Sequence, residues 1–272
     1  MKSIGKILII SLAIIIAVIT LTPALWMISA SFMAAGEASA FPPKLLPAKI
    51  TFEHYVRLFT RLHLWRYLLN SLVISVSVTL ISLFFNSMAG YAFAKYRFPG
   101  RDRLFRFLVA EMVIPAQVTT LPLFLMLNKV GLINTYLGVI VAGMATIYGI
   151  FLIRQFALSI PDSFIEAARL DGSSDFRIYW SVILPLCKPI LITLAIFTFM
   201  GTWNDFLWPL IVLTDDNMYT LPVALANLTG EYVQDTELMM AGAVMTILPV
   251  MIVFIALQKH YISGIMAAGL KE

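Results

Sequence analysis

Two stretches of this chain, Ile7–Gly36 and Tyr67–Ala94, contain no charged side chain. Crossing the roughly 30 Å hydrocarbon core of a bilayer takes about 20 apolar helical residues at about 1.5 Å each, so each stretch is long enough to span it. Within lipid a backbone must satisfy its own N–H and C=O groups, and a lone apolar run does so as an α-helix. Composition agrees. Of the 272 residues, 60% are hydrophobic and 12% charged, against about 45–50% and about 25% in soluble domains. So little charge cannot cover a water-facing surface of this size. A free cytosolic enzyme, a disordered chain and a small disulfide scaffold are excluded. Cys187 is the lone cysteine and reads as a packing residue. His54, His63 and His260 are too scattered for metal-ligand spacing.

Further apolar segments bring the expected spans to six. Met112–Asn128 and Val130–Ile153 are separated by Lys129, Pro189–Asn204 continues past Asp205 into Phe206–Leu213, and Leu238–Gln258 comes last. The expected fold is all-α and polytopic, one membrane domain with spans at about 7–32, 67–94, 106–127, 137–157, 189–213 and 238–258 and a cytoplasmic loop at 159–188. The first run follows Lys2 and Lys6 as a signal peptide would, but it exceeds the about 7–15 apolar residues of one and reads as a retained helix. Six spans place both termini on one side. That side carries thirteen of the 19 Lys and Arg residues, which makes it cytoplasmic. On the opposite side, Thr214–Glu237 holds Asp215, Asp216, Glu231, Asp235 and Glu237 and no Lys or Arg.

Few charges fall within the spans. Asp205 lies about 24 Å along a helix that starts at Pro189, near the outer interface, with Trp203, Asn204 and Trp208 as an aromatic and polar belt. Two readings stand: Asp205 is a structural hydrogen-bonding group, or Asn204 and Asp205 line a pathway. Glu111 sits close enough to the interface to snorkel or pair. Neither carboxylate has the buried partners of a proton-driven pump, and no cluster of His, Asp or Glu at one depth points to a membrane-embedded enzyme. Pro115 and Pro122 are two helical turns apart and would bend the third span in similar directions. Such a kink is either cavity-lining or ordinary membrane proline.

The most informative stretch is Ser159–Pro189. Ser163-Phe164-Ile165-Glu166 fits the capping box S-x-x-E and predicts a short helix that ends at Gly172, a residue suited to a left-handed cap. Ser173 or Ser174 can cap a second helix, with Phe176, Tyr179, Trp180 and Ile183 on one face and Pro185 ending or kinking it. Ala167 and Ala168 keep one side of the first helix low, while Glu166 and Arg169 offer charge at its rim. By composition alone this is an interfacial amphipathic connector.

Its residues also carry a family pattern. Glu166-Ala167-Ala168-Arg169-Leu170-Asp171-Gly172, followed by Val182-Ile183-Leu184-Pro185, resembles the EAA loop of ABC-importer permeases, with Val182 in place of the usual isoleucine. Asp171-Gly172-Ser173 resembles the carbohydrate-uptake subfamily. Trp203-Asn204-Asp205-Phe206-Leu207-Trp208-Pro209, with Thr220-Leu221-Pro222-Val223 downstream, is similar to the fifth span and outer loop of sugar-importer permeases. The tail Gly264-Ile265-Met266-Ala267-Ala268-Gly269-Leu270-Lys271 is similar to theirs, with Ala268 where glycine is usual. The resemblance covers nearly the whole chain and is to the smaller, six-helix permease of maltose-type importers.

The resemblance implies a bacterial or archaeal cytoplasmic-membrane permease of the type I importer fold. It implies a heterodimer with a second permease, two ATPase subunits and an extracytoplasmic solute-binding protein, and no nucleic acid. Glu166, Ala167, Ala168, Arg169, Asp171, Gly172, Leu184 and Pro185 would belong to the ATPase-coupling loop, with Gly264, Gly269 and Lys271 near the same interface. Thr214–Glu237 would approach the binding protein. The solute would be a sugar or sugar derivative. The chain has no G-x-x-x-x-G-K-[ST] loop and is expected to be non-catalytic, with no cofactor of its own; ATP and Mg would be used by the partner ATPases. The alternative is a secondary transporter or channel that works without an ATPase.

Overall fold

A computed structural model describes residues 2–42, 44–231 and 235–269. The described residues are mostly helical and fall into two compact units, one within residues 1–67 and 221–249, the other within 68–220 and 250–272. Three helices are individually long and apolar enough to cross a membrane: Leu8–Ala30, Leu64–Lys95 and Thr236–Ala256. Three bent helix pairs pass the same test only when each pair is taken together.

In the first unit, α1 (Lys2–Ala30) runs through Pro23 without a break. From Leu8 to Leu25 its apolar side chains are exposed, a surface suited to lipid or another subunit, whereas Ala30 at its end is buried with Met33 and Ala38, against which Trp26 packs. After α1 the chain turns back. Trp26 Nε1 and Ser29 Oγ donate to the carbonyls of Lys44 and Leu45. Glu37 accepts from Lys44 at 3.1 Å and from the backbone of Ala48 at 2.9 Å, and these bonds hold its carboxyl below the usual carboxylate range. The short α2 (Glu53–Thr60) buries His54, whose Nε2 contacts the Met33 carbonyl at 3.0 Å, while its Arg57 pairs with Asp235. Buried Glu237 accepts the Ala38 N–H at 2.7 Å. Two further helices complete this unit's chain segments, α13 (Leu221–Glu231) and the first part of α14 (Thr236–Gly269).

The second unit is organised on α3 (Leu64–Lys95). Ser71, Ser75, Thr79, Ser82 and Asn86, three or four residues apart, form a buried polar stripe on it, with buried Asn70 beside Ser71. Glycines let the helices α6 (Tyr136–Gly143) and α7 (Ile147–Leu158) approach that stripe. A Cβ on Gly143 would fall 2.6 Å from Val78, and one on Gly149 would fall 2.3 Å from Asn86. The 40° bend between α6 and α7 is supported by Asn86, whose Oδ1 accepts the Thr146 N–H at 2.9 Å. Thr146 in turn caps α7 by accepting from Gly149 at 3.1 Å. An amide exposed by a break within an apolar span costs several kcal/mol if left unpaired, roughly; here it is paired.

Helix continuity differs from the sequence expectation in three spans: the fourth, expected at 137–157, is broken between α6 and α7, and the third and fifth are broken as well. The expected third span is split into α4 (Arg101–Glu111) and α5 (Ala116–Lys129), bent by 102°. Pro115, extended at ψ 133°, stands immediately before α5, and its ring disfavours a helical conformation at Ile114, so the break falls at Met112–Pro115. Pro122 lies inside α5 and does not interrupt it. The expected fifth span ends at Trp203: α11 (Lys188–Trp203) stops, and α12 (Leu207–Val212) starts after a break at Asn204–Phe206. Asp205 Oδ1 accepts the Trp208 N–H at 3.3 Å, a polar substitute for the helical bonds lost at the break.

Candidate functional site

Between α7 and α11 the chain forms α8 (Ser163–Leu170), a turn at Asp171–Ser174, then α9 (Asp175–Ile178), a wide π turn (Tyr179–Ile183) and the single turn α10 (Leu184–Leu186). The capping box expected at Ser163 and Glu166 does not form. Ser163 is already inside the helix, and Asp162 precedes it without a side-chain cap; Glu166 N–H bonds to the Asp162 carbonyl in the ordinary helical way. The left-handed cap does form, with Gly172 at φ +75° and Ser173 N–H donating to the Ala168 carbonyl. Ser174 rather than Ser173 caps α9, accepting from Arg177. Arg169 and Asp175 pair across the turn at 3.1 Å, both half-exposed.

One side of this platform is fixed. Ile165, Ile178, Tyr179 and Ile183 join Tyr91, Ala94, Ala157, Ile160 and Cys187 in one core, with Ala168, Val182 and Leu184 packed at its margin. The expected aromatic face is divided: Tyr179 and Ile183 are buried, but Phe176 and Trp180 are exposed. The π turn is the reason, since its wider pitch rotates successive side chains away from the spacing of an α-helix. Pro185 is exposed, and the chain bends by 79° only after Leu186, ahead of α11.

Three polar contacts tie the platform to α3. Lys95 Nζ donates to the Ile160 carbonyl and, at 2.6 Å, to Asp162. That contact holds the Asp162 carboxyl below the usual carboxylate range. Tyr179 and Ser87 hydroxyls share a hydrogen bond of 2.6 Å. Sequence reasoning passed over all three, although the polar stripe on α3 was the available signal: polar residues on one face of a charge-free helix mark the face that packs.

The opposite side of α8 is bare. Glu166, Ala167 and Arg169 are exposed, Phe164 is about half-exposed and Leu170 is 90% exposed.

Of the two pathway candidates, Asp205 lines a cavity of about 260 Å³ with Thr119, Thr120, Thr202 and Trp208. Asn204 does not line it and instead donates to the Met200 carbonyl at 2.9 Å. Ala116, Thr119, Thr120 and Leu123 of α5 form one wall, so the proline-delimited helix is a cavity-lining one. The Trp208 indole N–H is buried with no partner among the described residues. Gly264 and Gly269 fall within α14, but their surroundings and all of Lys271 lie outside the described residues.

Residues 86–266 match the family described as binding-protein-dependent transport system inner membrane component. The chain belongs to this family. It is thus the membrane permease of an ABC importer, a non-catalytic component. It is 38% identical over 259 residues to the arabinooligosaccharides transport system permease protein of Halalkalibacterium halodurans, covering 94% of this chain and 93% of that protein. It is 32% identical to the diacetylchitobiose uptake system permease protein of Streptomyces coelicolor, over 95% of this chain and 86% of that one. The permease fold matches a chain of a bacterial ABC transporter that imports the acidic polysaccharide alginate, with a TM-score of 0.85 at 28% identity. That match covers 96% of this permease and 97% of the other chain, which makes the type I importer fold common to the two.

Proposed function

We propose that this permease imports an oligosaccharide or other sugar derivative, and that α8 is the helix through which ATPase subunits drive it. The observation that carries the coupling role is the two-sidedness of α8: Ile165 is locked in the core while Leu170 is 90% exposed beside Glu166 and Ala167. A helix fixed on one side and bare on the other transmits a push applied to the bare side. Leu170 and Phe164 would fill an apolar cleft in the ATPase, Glu166 would pair with a basic residue there, and Gly172 supplies the turn. Arg169, Asp171, Leu184 and Pro185 shape the platform, with the tail around Gly264–Lys271 close by. ATP and Mg are used by those ATPases.

A six-span reading is supported if each bent pair is one crossing, and the Lys and Arg distribution then favours both termini in the cytoplasm. A second permease completes the pathway and an extracytoplasmic binding protein delivers the solute near Thr214–Glu237. The sugar assignment is supported by the named uptake systems of the relatives and by the chemistry of the Asp205 cavity. Threonine hydroxyls, a carboxylate and an aromatic ring are groups that bind hydroxyl-rich solutes.

The decisive experiment is co-purification of the tagged permease with its ATPases in mild detergent, for wild type and Leu170→Glu. The variant is expected to insert normally, lose the ATPases and lose uptake of the sugar. Undiminished ATPase recovery and uptake would overturn the coupling role, since a buried glutamate with no partner costs several kcal/mol, roughly.

A further inference from the structure

The connection from α3 to α4 carries a second charged feature that transport does not account for. Arg97, Arg101, Arg103 and Arg106 line an open concavity of about 520 Å³, with Phe98, Gly100 and Asp102 completing it. Asp102 is the only carboxylate among the lining residues. Arg101 pairs with it at 3.0 Å, so it offsets one of the four positive charges. Arg101 also donates to the Tyr96 carbonyl at 3.1 Å, and Arg106 donates to the Asp102 carbonyl at 3.2 Å. Both guanidinium groups are thereby oriented yet keep free N–H groups. Arg97 and Arg103 make no hydrogen bond or ion pair among the described residues; Arg97 meets Asp162 only through longer-range attraction.

Converging guanidinium groups repel one another unless an anion lies among them, and their planar fork matches the oxygens of a phosphate. The same helix presents Phe107 at 75% and Leu104 at 48% exposed. Apolar side chains next to a ring of arginines, on a helix turned 102° from the one that follows, form an amphipathic surface for a membrane interface. We propose that Arg97, Arg101, Arg103 and Arg106 cradle a phosphate-bearing anion, supplied by the headgroup of an anionic phospholipid. Phe107 and Leu104 then enter the acyl boundary while the arginines hold the phosphate. The proposal rests on the positive-inside reading only for the leaflet involved, and its test needs no transport.

The test uses the permease purified with its partner subunits, in detergent supplemented with graded dioleoylphosphatidylglycerol or dioleoylphosphatidylcholine, with bound lipid read by native mass spectrometry. Arg97→Gln combined with Arg103→Gln removes the two unpaired arginines and leaves the Arg101–Asp102 contact intact. The wild type is expected to retain phosphatidylglycerol over phosphatidylcholine, and the double variant to bind phosphatidylglycerol at least tenfold more weakly. Lys44→Gln with Lys49→Gln, on the other flank, is expected to change nothing. Equal phosphatidylglycerol binding by the wild type and the Arg97/Arg103 variant overturns the proposal. Competition by millimolar inorganic phosphate overturns the lipid source in favour of a soluble anion. Loss of the ATPases with lipid binding unchanged also overturns it, and makes the cradle a protein contact. None of these outcomes touches the coupling role of α8, which Leu170→Glu tests separately.

Discussion

Lys95, the last residue of the long helix α3, donates a 2.6 Å hydrogen bond to Asp162, the residue immediately before α8. The same ammonium group donates to the Ile160 carbonyl, so one side chain closes the end of α7 and holds the start of the loop helix. Lys95 is 8% exposed and Asp162 69% exposed, which makes this a half-sheltered latch between a membrane helix and the coupling platform.

The latch has a defined pH signature. Asp162 has a folded-state pKa below its ordinary value of 3.8, so the pair contributes in full above that value. The contribution is lost as pH falls through the depressed folded value. Thermal unfolding of wild type and Asp162→Asn should therefore differ by a constant amount at neutral pH and converge only in strong acid. A gap that already closes between pH 7 and pH 5 would contradict the latch.

Gly172 sits at φ +75° with open space where a Cβ would go, so only the backbone resists substitution. Gly172→Val should cost about 1–2 kcal/mol from the left-handed conformation and shift the end of α8, lowering ATPase recovery. Gly172→Asn, which tolerates that conformation, should retain most of it. Co-purification of the two variants separates backbone strain from steric loss.

Gly149 is constrained by contact instead. An added Cβ would meet Asn86 Nδ2 at 2.3 Å and Thr146 Oγ1 at 2.8 Å. Gly149→Ala should destabilise by about 1–3 kcal/mol through overpacking. Because Asn86 is the obstacle, the cost should be clearly non-additive with Asn86→Ala in a double-mutant unfolding cycle.

Asn134 adopts φ 57° and its Oδ1 accepts the N–H groups of Thr214 at 2.9 Å and Asp215 at 3.0 Å. Asn134→Gly keeps the backbone free to adopt that conformation but deletes the acceptor, at about 0.5–1.5 kcal/mol per bond at most, since water can replace it. Amide exchange at Thr214 and Asp215 should accelerate while exchange across α3 stays unchanged.

Helix content, the spans made of uninterrupted apolar residues and the loop platform were legible in the sequence, because lipid enforces internal hydrogen bonding and because glycine at 172 announces a left-handed turn. That Ile165 faces inward is decided by its packing with Ile178, Tyr179 and Ile183. The sequence could not decide where the spans break. Pro115 precedes the start of α5 and Pro122 lies inside it, a difference that the shared spacing of the two prolines did not carry. Nor could spacing show that Phe176 and Trp180 would part from Tyr179 and Ile183, because the π turn that separates them is set by packing against α3 and α7. Asp205 was marked by its charge, but Thr119, Thr120, Thr202 and Trp208 join it only because α5, α11 and α12 fold around one cavity. Local chemistry acts over a helical turn and is written in the sequence; the contacts of Lys95 with Asp162, Asn86 with Thr146 and Asn134 with Thr214 join residues 60 or more positions apart and exist only once the helices have packed.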